Sequence, residues 1–148
     1  MVQLSNSGVK YWRITVDHPI QTDDTFEYKS LILGDWLRHD YISIGDENPE
    51  QASRKRFNEM QNGDKIAVVV DGCLWAVGEI KGFVHRIERK PLHSVRRNVI
   101  WYKIARAKLD CFDVPLKTKL ANPNTVMSIN EKDWNKIVEQ LYTKCPEI

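Results

Sequence analysis

The stretch Asn62–Gly82, NGDKIAVVVDGCLWAVGEIKG, constrains the fold of this chain more than any other. Lys65–Val70 is a short β-branched run and Leu74–Ile80 a second apolar run, with Asp71-Gly72 between them. Asp-Gly suits a type I′ turn, which needs φ > 0 at both central residues, so the pattern predicts a tight β-hairpin. Gly63-Asp64, just ahead of the first strand, is another turn signal. In the second strand Leu74, Ala76, Gly78 and Ile80 would share one face, with Trp75 and Val77 on the other. A strand apolar on both faces belongs in the middle of a covered or closed sheet. Gly78 inside it predicts a bulge or a close approach by another backbone.

The remaining 127 residues of the 148 have to wrap around this pair as one domain, 1–148, which is enough chain for a core without disulfides or metals. Residues 1–8 read as a loose leader. At 42% hydrophobic and 28% charged, the composition is that of a folded domain. No apolar run approaches the ~20 residues a membrane helix needs, and the N-terminus lacks the charged-then-apolar layout of a secretion signal. Cys73, Cys111 and Cys145 are odd in number and scattered. They indicate a reducing, cytoplasmic setting rather than a disulfide frame or a CxxC metal site.

The formal net charge of +2 conceals an asymmetry. Between Lys81 and Lys108 nine basic residues stand against Glu88 alone, on an otherwise acidic body. One basic third on such a body is the footprint of a polyanion-binding face; the alternative is a solvated loop.

Along the chain, Val9–Val16 alternates as a half-buried strand with Trp12, Ile14 and Val16 on one side, ending at Asp17-His18-Pro19. Gln21–Leu33 reads as a helix with Gly34 as its C′ residue, although Leu31-Ile32-Leu33 suits a strand equally well. Gly34-Asp35-Trp36 then reads as a turn presenting a large aromatic, and Tyr41–Ile44 as a short extended piece. Glu47–Gln61 predicts a helix with Phe57 and Met60 inward and Arg54, Lys55 and Arg56 largely exposed. After the hairpin, Phe83–Asn98 reads as a long basic connection and Val99–Ala107 as a strand. Leu109–Asn124 is turn-rich, and Thr125–Ile129 is a short strand. In 130–144, Asn130 is an N-cap, Glu131 and Asp133 favour the helix N-terminus, and Trp134, Ile137, Val138 and Leu141 form one apolar stripe.

No catalytic, metal or cofactor signature occurs: there is no GxSxG, HExxH, P-loop or GxGxxG, and the four histidines lack ligand spacing. The chemistry suits a binder, because a stacking platform needs aromatic faces beside cations. Trp36, beside Arg38 and Tyr41, has that composition. Trp12, Trp101 and Trp134 are assigned to the core, and Trp75 is open between core and pocket.

Several stretches together resemble the EVE domain and the related YTH domain of the PUA-like superfamily. They are Tyr11–Val16 ending at Asp17-His18-Pro19; Gly34-Asp35-Trp36; Phe57-x-x-Met60-x-x-Gly63-Asp64-Lys65-Ile66; Gly78-Glu79-Ile80-Lys81-Gly82; and Val99-Ile100-Trp101-Tyr102 after a basic loop. The resemblance implies an α+β fold, a small mixed β-barrel of five to six strands flanked by two to four helices. It implies a non-catalytic reader that holds a flipped, modified base in an aromatic pocket. Trp36 matches the pocket tryptophan, and Thr15 and Asp17 match positions facing the base edge. His18, Trp75 and Tyr41 complete the candidate base pocket. Between Phe83 and Trp101 there is no Trp or Tyr to supply a second cage wall, so a half-open pocket is expected. Candidate phosphate ligands are Arg38, Arg54, Lys55, Arg86, Arg89, Lys90, Arg96 and Arg97. Modified DNA in a restriction or defence context is placed ahead of RNA, with room for further domains or a partner nuclease or ATPase subunit. The alternatives are an RNA-binding or RNA-processing relative, an enzyme using Asp17 with Lys103, and a protein-interaction module docking an acidic partner.

Overall fold

The computed structural model describes residues 8–15, 25–44, 52–70, 73–86, 95–104 and 126–144. Residues 1–7, Asp17 and His18, the Asp71-Gly72 turn, Arg89 and Lys90, the 109–124 segment, and Cys111 and Cys145 lie outside the described residues.

Among the described residues, six strands and three helices run in the order β1 (Tyr11–Ile14), α1 (Thr25–His39), β2 (Tyr41–Ile44), α2 (Ala52–Glu59), β3 (Lys65–Val70), β4 (Cys73–Arg86), β5 (Val95–Ile104), β6 (Val126–Ile129) and α3 (Glu131–Lys144). The strands form one curled sheet in the order β2-β5-β4-β3-β1-β6. β1 pairs in parallel with β3, and the other ladders are antiparallel. The α+β fold expected from sequence is present, and the expected small mixed β-barrel takes the form of a six-stranded half-barrel.

The β3–β4 hairpin is central, as its two-faced apolar pattern requires. One core contains Trp12, Ile14, Ile66, Val68, Ala76, Ile80 and Val99 together with Trp36 and Phe57 from the helices. A second lies under α3 and contains Ala67, Val69, Leu74 and Val77 with Trp134, Ile137 and Leu141. Simple alternation would put Leu74 beside Ala76. A register shift between Val68 and Val69 instead leaves Trp75 as an extra residue on β4, which turns Leu74 to the α3 side. Gly78 does mark a close approach. A Cβ there would lie 2.4 Å from the Ile100 carbonyl oxygen, and the β4–β5 register shifts at that point, leaving Tyr102 as an extra residue on β5. β1 is covered on both faces rather than half-buried: Trp12 and Ile14 enter the first core, and Arg13 on the other side is only 1% exposed.

α3 forms as its sequence dictates. Asn130 Oδ1 accepts the Asp133 backbone N–H at 2.8 Å, capping the first turn, and Trp134, Ile137 and Leu141 are buried. Each such side chain contributes about 1.5–3 kcal/mol through burial.

α1 departs from expectation. It continues through Gly34 and Asp35 to His39, so Trp36 lies in a helix and not in a turn. Gly34 costs about 1 kcal/mol inside a helix, but the continued turn buries Leu33 and Trp36. The C′ role passes to Asp40, at φ 60, whose N–H bonds the Trp36 carbonyl at 3.0 Å. The basic stretch departs too. Phe83–Arg86 and Val95–Asn98 are strand, belonging to β4 and β5 rather than to a loop.

Candidate nucleic-acid interface

The sheet register decides which cations can meet a ligand. Across β2, β5 and β4, Tyr41 pairs with Asn98 and Asn98 with Lys81, while Ser43 pairs with Arg96 and Arg96 with His85. Paired residues project to the same side of a sheet, so Tyr41, Asn98, Lys81, Ser43, Arg96 and His85 share one face. The end of α1 borders that face at Asp35 and His39. Together Asp35, His39, Tyr41, His85, Arg96 and Asn98 line a cleft of about 450 Å³.

At its centre the Arg96 guanidinium lies 4.0 Å from the centroid of the Tyr41 ring. This is a cation–π contact in which the arginine plane is backed by an aromatic. Arg96 Nε is buried and has no hydrogen-bond partner among the described residues. Burial raises the Tyr41 phenol pKa; Arg96 pulls it down and Asp35 pushes it up, with a net rise that keeps the phenol neutral. Arg38 is not part of the lining; it is highly exposed, with Nη2 3.8 Å from Oδ1 of the lining residue Asp35. The cleft thus offers a planar cation, a carboxylate acceptor, an amide that both donates and accepts, and two imidazoles. That donor and acceptor set can read a base edge while a cation meets phosphate.

Of the residues singled out from sequence, the structure brings Tyr41 and Arg96 together here. Trp36 does not join them as a pocket wall. It is fully buried, donates from Nε1 to Ser43 Oγ at 2.7 Å, and its carbonyl accepts the Trp101 Nε1–H at 3.1 Å. The indole N–H and the carbonyl are both committed within the protein, and with no exposed surface the residue presents no face to a base. Trp75 is half-buried and packs against both cores, away from the cleft lining. Thr15, just beyond β1, is also outside the lining.

Two of the phosphate candidates are structural. Arg97 is 3% exposed and donates to the Met60 carbonyl at 2.5 Å and the Gly82 carbonyl at 2.7 Å. Burial lowers its pKa, and Asp64 partly offsets that. Arg54 is 7% exposed and bonds Asn58, and burial lowers its pKa as well. Lys55 and Arg86 are exposed, on α2 and at the end of β4.

Asp35, His39, His85 and Asn98 were not assigned to the site from sequence. The strand period offers one signal: in Val95-Arg96-Arg97-Asn98-Val99, treated as strand, Arg96 and Asn98 share one face and Arg97 the other, and the burial of β5 alternates in the same way.

No protein-family model matches this chain, and no curated protein matches its sequence. Solved structures share its fold. The YTH domain of mmi1, solved with RNA, is 8% identical with a TM-score of 0.59 and covers 91% of this chain and 83% of its own. The YTH domain of Zygosaccharomyces rouxii MRB1, in complex with N6-methyladenosine RNA, is 11% identical with a TM-score of 0.59, covering 90% of this chain and 87% of its own. Rpa0253 from Rhodopseudomonas palustris is 10% identical with a TM-score of 0.56, covering 89% and 92%. The chain therefore shares the fold of these YTH domains and of Rpa0253.

Proposed function

We propose that this chain is a non-catalytic RNA-binding module that takes a modified base into the Tyr41–Arg96 cleft. The observation that carries the reading is the Arg96 guanidinium held over Tyr41 inside a base-sized cleft. Bases stack on arginine planes as they do on aromatic rings. With Tyr41 covered by Arg96 and itself 9% exposed, the arginine is the surface offered to the base. Asp35, Asn98, His39 and His85 surround it with hydrogen-bonding groups for the base edge. Stacking contributes about 1–3 kcal/mol per base, while extruding a base from a duplex costs a few kcal/mol. A single strand avoids that cost.

RNA is taken ahead of DNA because the YTH domains that share this fold were solved with RNA. The restriction setting and the DNA preference rest on the sequence resemblance alone.

The test is a binding panel at two salt concentrations. It uses single-stranded and duplex RNA and DNA, unmodified or carrying N6-methyladenine, methylcytosine or hydroxymethylcytosine. Tightest binding is expected for single-stranded RNA with a methylated base. Preference for modified duplex DNA would return the reading to the restriction context. Indifference to modification would remove the reader assignment.

A further inference from the structure

The cleft is one end of a larger open face. The same side of the sheet continues along β5 from Arg96 and Asn98 to Ile100, about 13 Å from Arg96 at ~3.3 Å per residue. Ile100 pairs with Glu79, Glu79 with Lys65, and Lys65 with Tyr11, making one cross-strand row on that side. α1 borders one end of this face and α3 the other; between them Asn98, Lys81 and His85 are exposed, and Ile100 is 47% exposed.

The far end is built around Tyr102. As the extra residue at the Gly78 bulge it is free of ladder parity, and its hydroxyl places it on this face. That hydroxyl accepts from Lys65 Nζ at 2.7 Å and donates to the Glu79 carboxylate. Lys65 Nζ also lies 5.0 Å from the Tyr102 ring centroid. The phenol is thus clamped from two sides while the residue stays 41% exposed. At the α3 edge Tyr142, 44% exposed, has Lys103 Nζ 5.6 Å from its ring centroid, and its hydroxyl lies 3.4 Å from the Tyr102 carbonyl. Glu79 is the single acidic member of the Ile100–Glu79–Lys65–Tyr11 row, and Lys65 compensates it at 3.5 Å. Exposed, oriented aromatics beside lysines, on an open sheet and the helix at its edge, are the composition of a single-strand platform, since every base has a π-face and every nucleotide a phosphate.

We infer that an RNA strand whose modified base occupies the cleft continues across this face, and that a flanking base stacks on Tyr102 beside Lys65 and Lys81. This inference rests on the reader assignment above. It adds a second, sequence-tolerant contact that makes affinity depend on the length of the strand.

The experiment measures the affinity of the wild-type protein, Tyr102→Ala and Tyr102→Phe for methylated RNA. One set of oligonucleotides is just long enough to fill the cleft, and the other is extended on either side of the modified base. The inference predicts that extension tightens wild-type binding. Tyr102→Ala should lose about tenfold or more on the extended strands and nothing on the short ones. Tyr102→Phe, which keeps the ring, should stay close to wild type on both. Equal affinity of wild type and Tyr102→Ala for extended strands overturns the inference and leaves the reader assignment standing. Absence of any RNA binding by the wild type overturns both. Binding of extended unmodified single-stranded DNA with the same Tyr102 dependence supports the platform and counts against RNA as its chosen strand.

Discussion

Asp64 and Trp12 are separated by 52 residues and joined by a 2.9 Å hydrogen bond from the indole Nε1 to the carboxylate Oδ2. The same carboxylate accepts the backbone N–H of Gln61 at 2.9 Å and that of Lys10 at 3.1 Å. Its own carbonyl accepts the Ile80 N–H at 2.8 Å. A residue that marks a turn in the sequence is therefore the staple between β1 and the central hairpin, 1% exposed and satisfied on both oxygens. Asp64→Ala would leave three donors without an acceptor, at about 1–3 kcal/mol for each that stays buried. The expected loss is roughly 2–5 kcal/mol, read as a lower urea midpoint. Asp64→Asn keeps one acceptor oxygen and should lose less.

Trp36 yields a prediction opposite to the one its sequence context suggests. As a pocket wall, its removal would abolish base recognition and spare the fold. As a buried residue bonded to Ser43, its replacement by alanine should cost about 3–5 kcal/mol of stability. Ser43→Ala should cost about 1–3 kcal/mol, because the indole N–H then lacks its acceptor. Chemical denaturation reads both. Titration of folded Trp36→Phe with methylated RNA should show near-wild-type affinity, and a selective loss of discrimination there would restore the pocket role.

These two residues show where the sequence speaks and where it is silent. The β3–β4 hairpin and α3 are legible because their signals are local: β-branched runs around Asp-Gly, and an apolar stripe behind an asparagine cap. The fate of Trp36 is set by partners 7 and 65 residues away, Ser43 and Trp101, which no local pattern reveals. Gly34-Asp35 carries a turn signal that tertiary burial overrides. The basic stretch misleads for a related reason. Charged residues disfavour strands, yet β5 is held between β2 and β4, and its neighbours fix the extended conformation.

The Lys65–Tyr102–Glu79 cluster sets a pH window. The hydrogen bond from Tyr102 lowers the Glu79 pKa, against partial burial and with help from Lys65. A carboxyl with a folded pKa below its unfolded one stabilises fully above the ordinary value, about 4.5, and loses that contribution as pH falls through the folded value. For Lys65, burial pulls the pKa down, but the Tyr102 hydroxyl and Glu79 outweigh it and raise the pKa above 10.5. Its contribution is complete below that value and disappears as pH rises through the folded pKa. The stability difference between wild type and Glu79→Gln should therefore be flat across neutral pH and shrink at both extremes. Thermal melts of the two proteins across pH measure it, and a difference that grows on acidification would contradict the assigned contacts.

Adjacent arginines on β5 should separate binding from folding. Arg96 stacks on Tyr41 inside the cleft, while Arg97 points the other way and ties the Met60 and Gly82 carbonyls together. On the proposed reading, Arg96→Ala removes the plane that would meet the base and one cation that would meet phosphate. RNA affinity should fall about tenfold or more with a shallower salt dependence, and the urea midpoint should change little because the cleft is open to water. Arg97→Ala strips the buried Met60 carbonyl and the part-buried Gly82 carbonyl of their shared donor. Stability should fall by roughly 2–4 kcal/mol, while the folded fraction keeps its salt slope. Lysine discriminates further: Arg96→Lys restores the charge without the plane, so the salt slope should recover and the preference for a modified base should not. If Arg96→Lys recovers both, Arg96 acts through charge alone, and the stacking surface has to be sought elsewhere on the sheet.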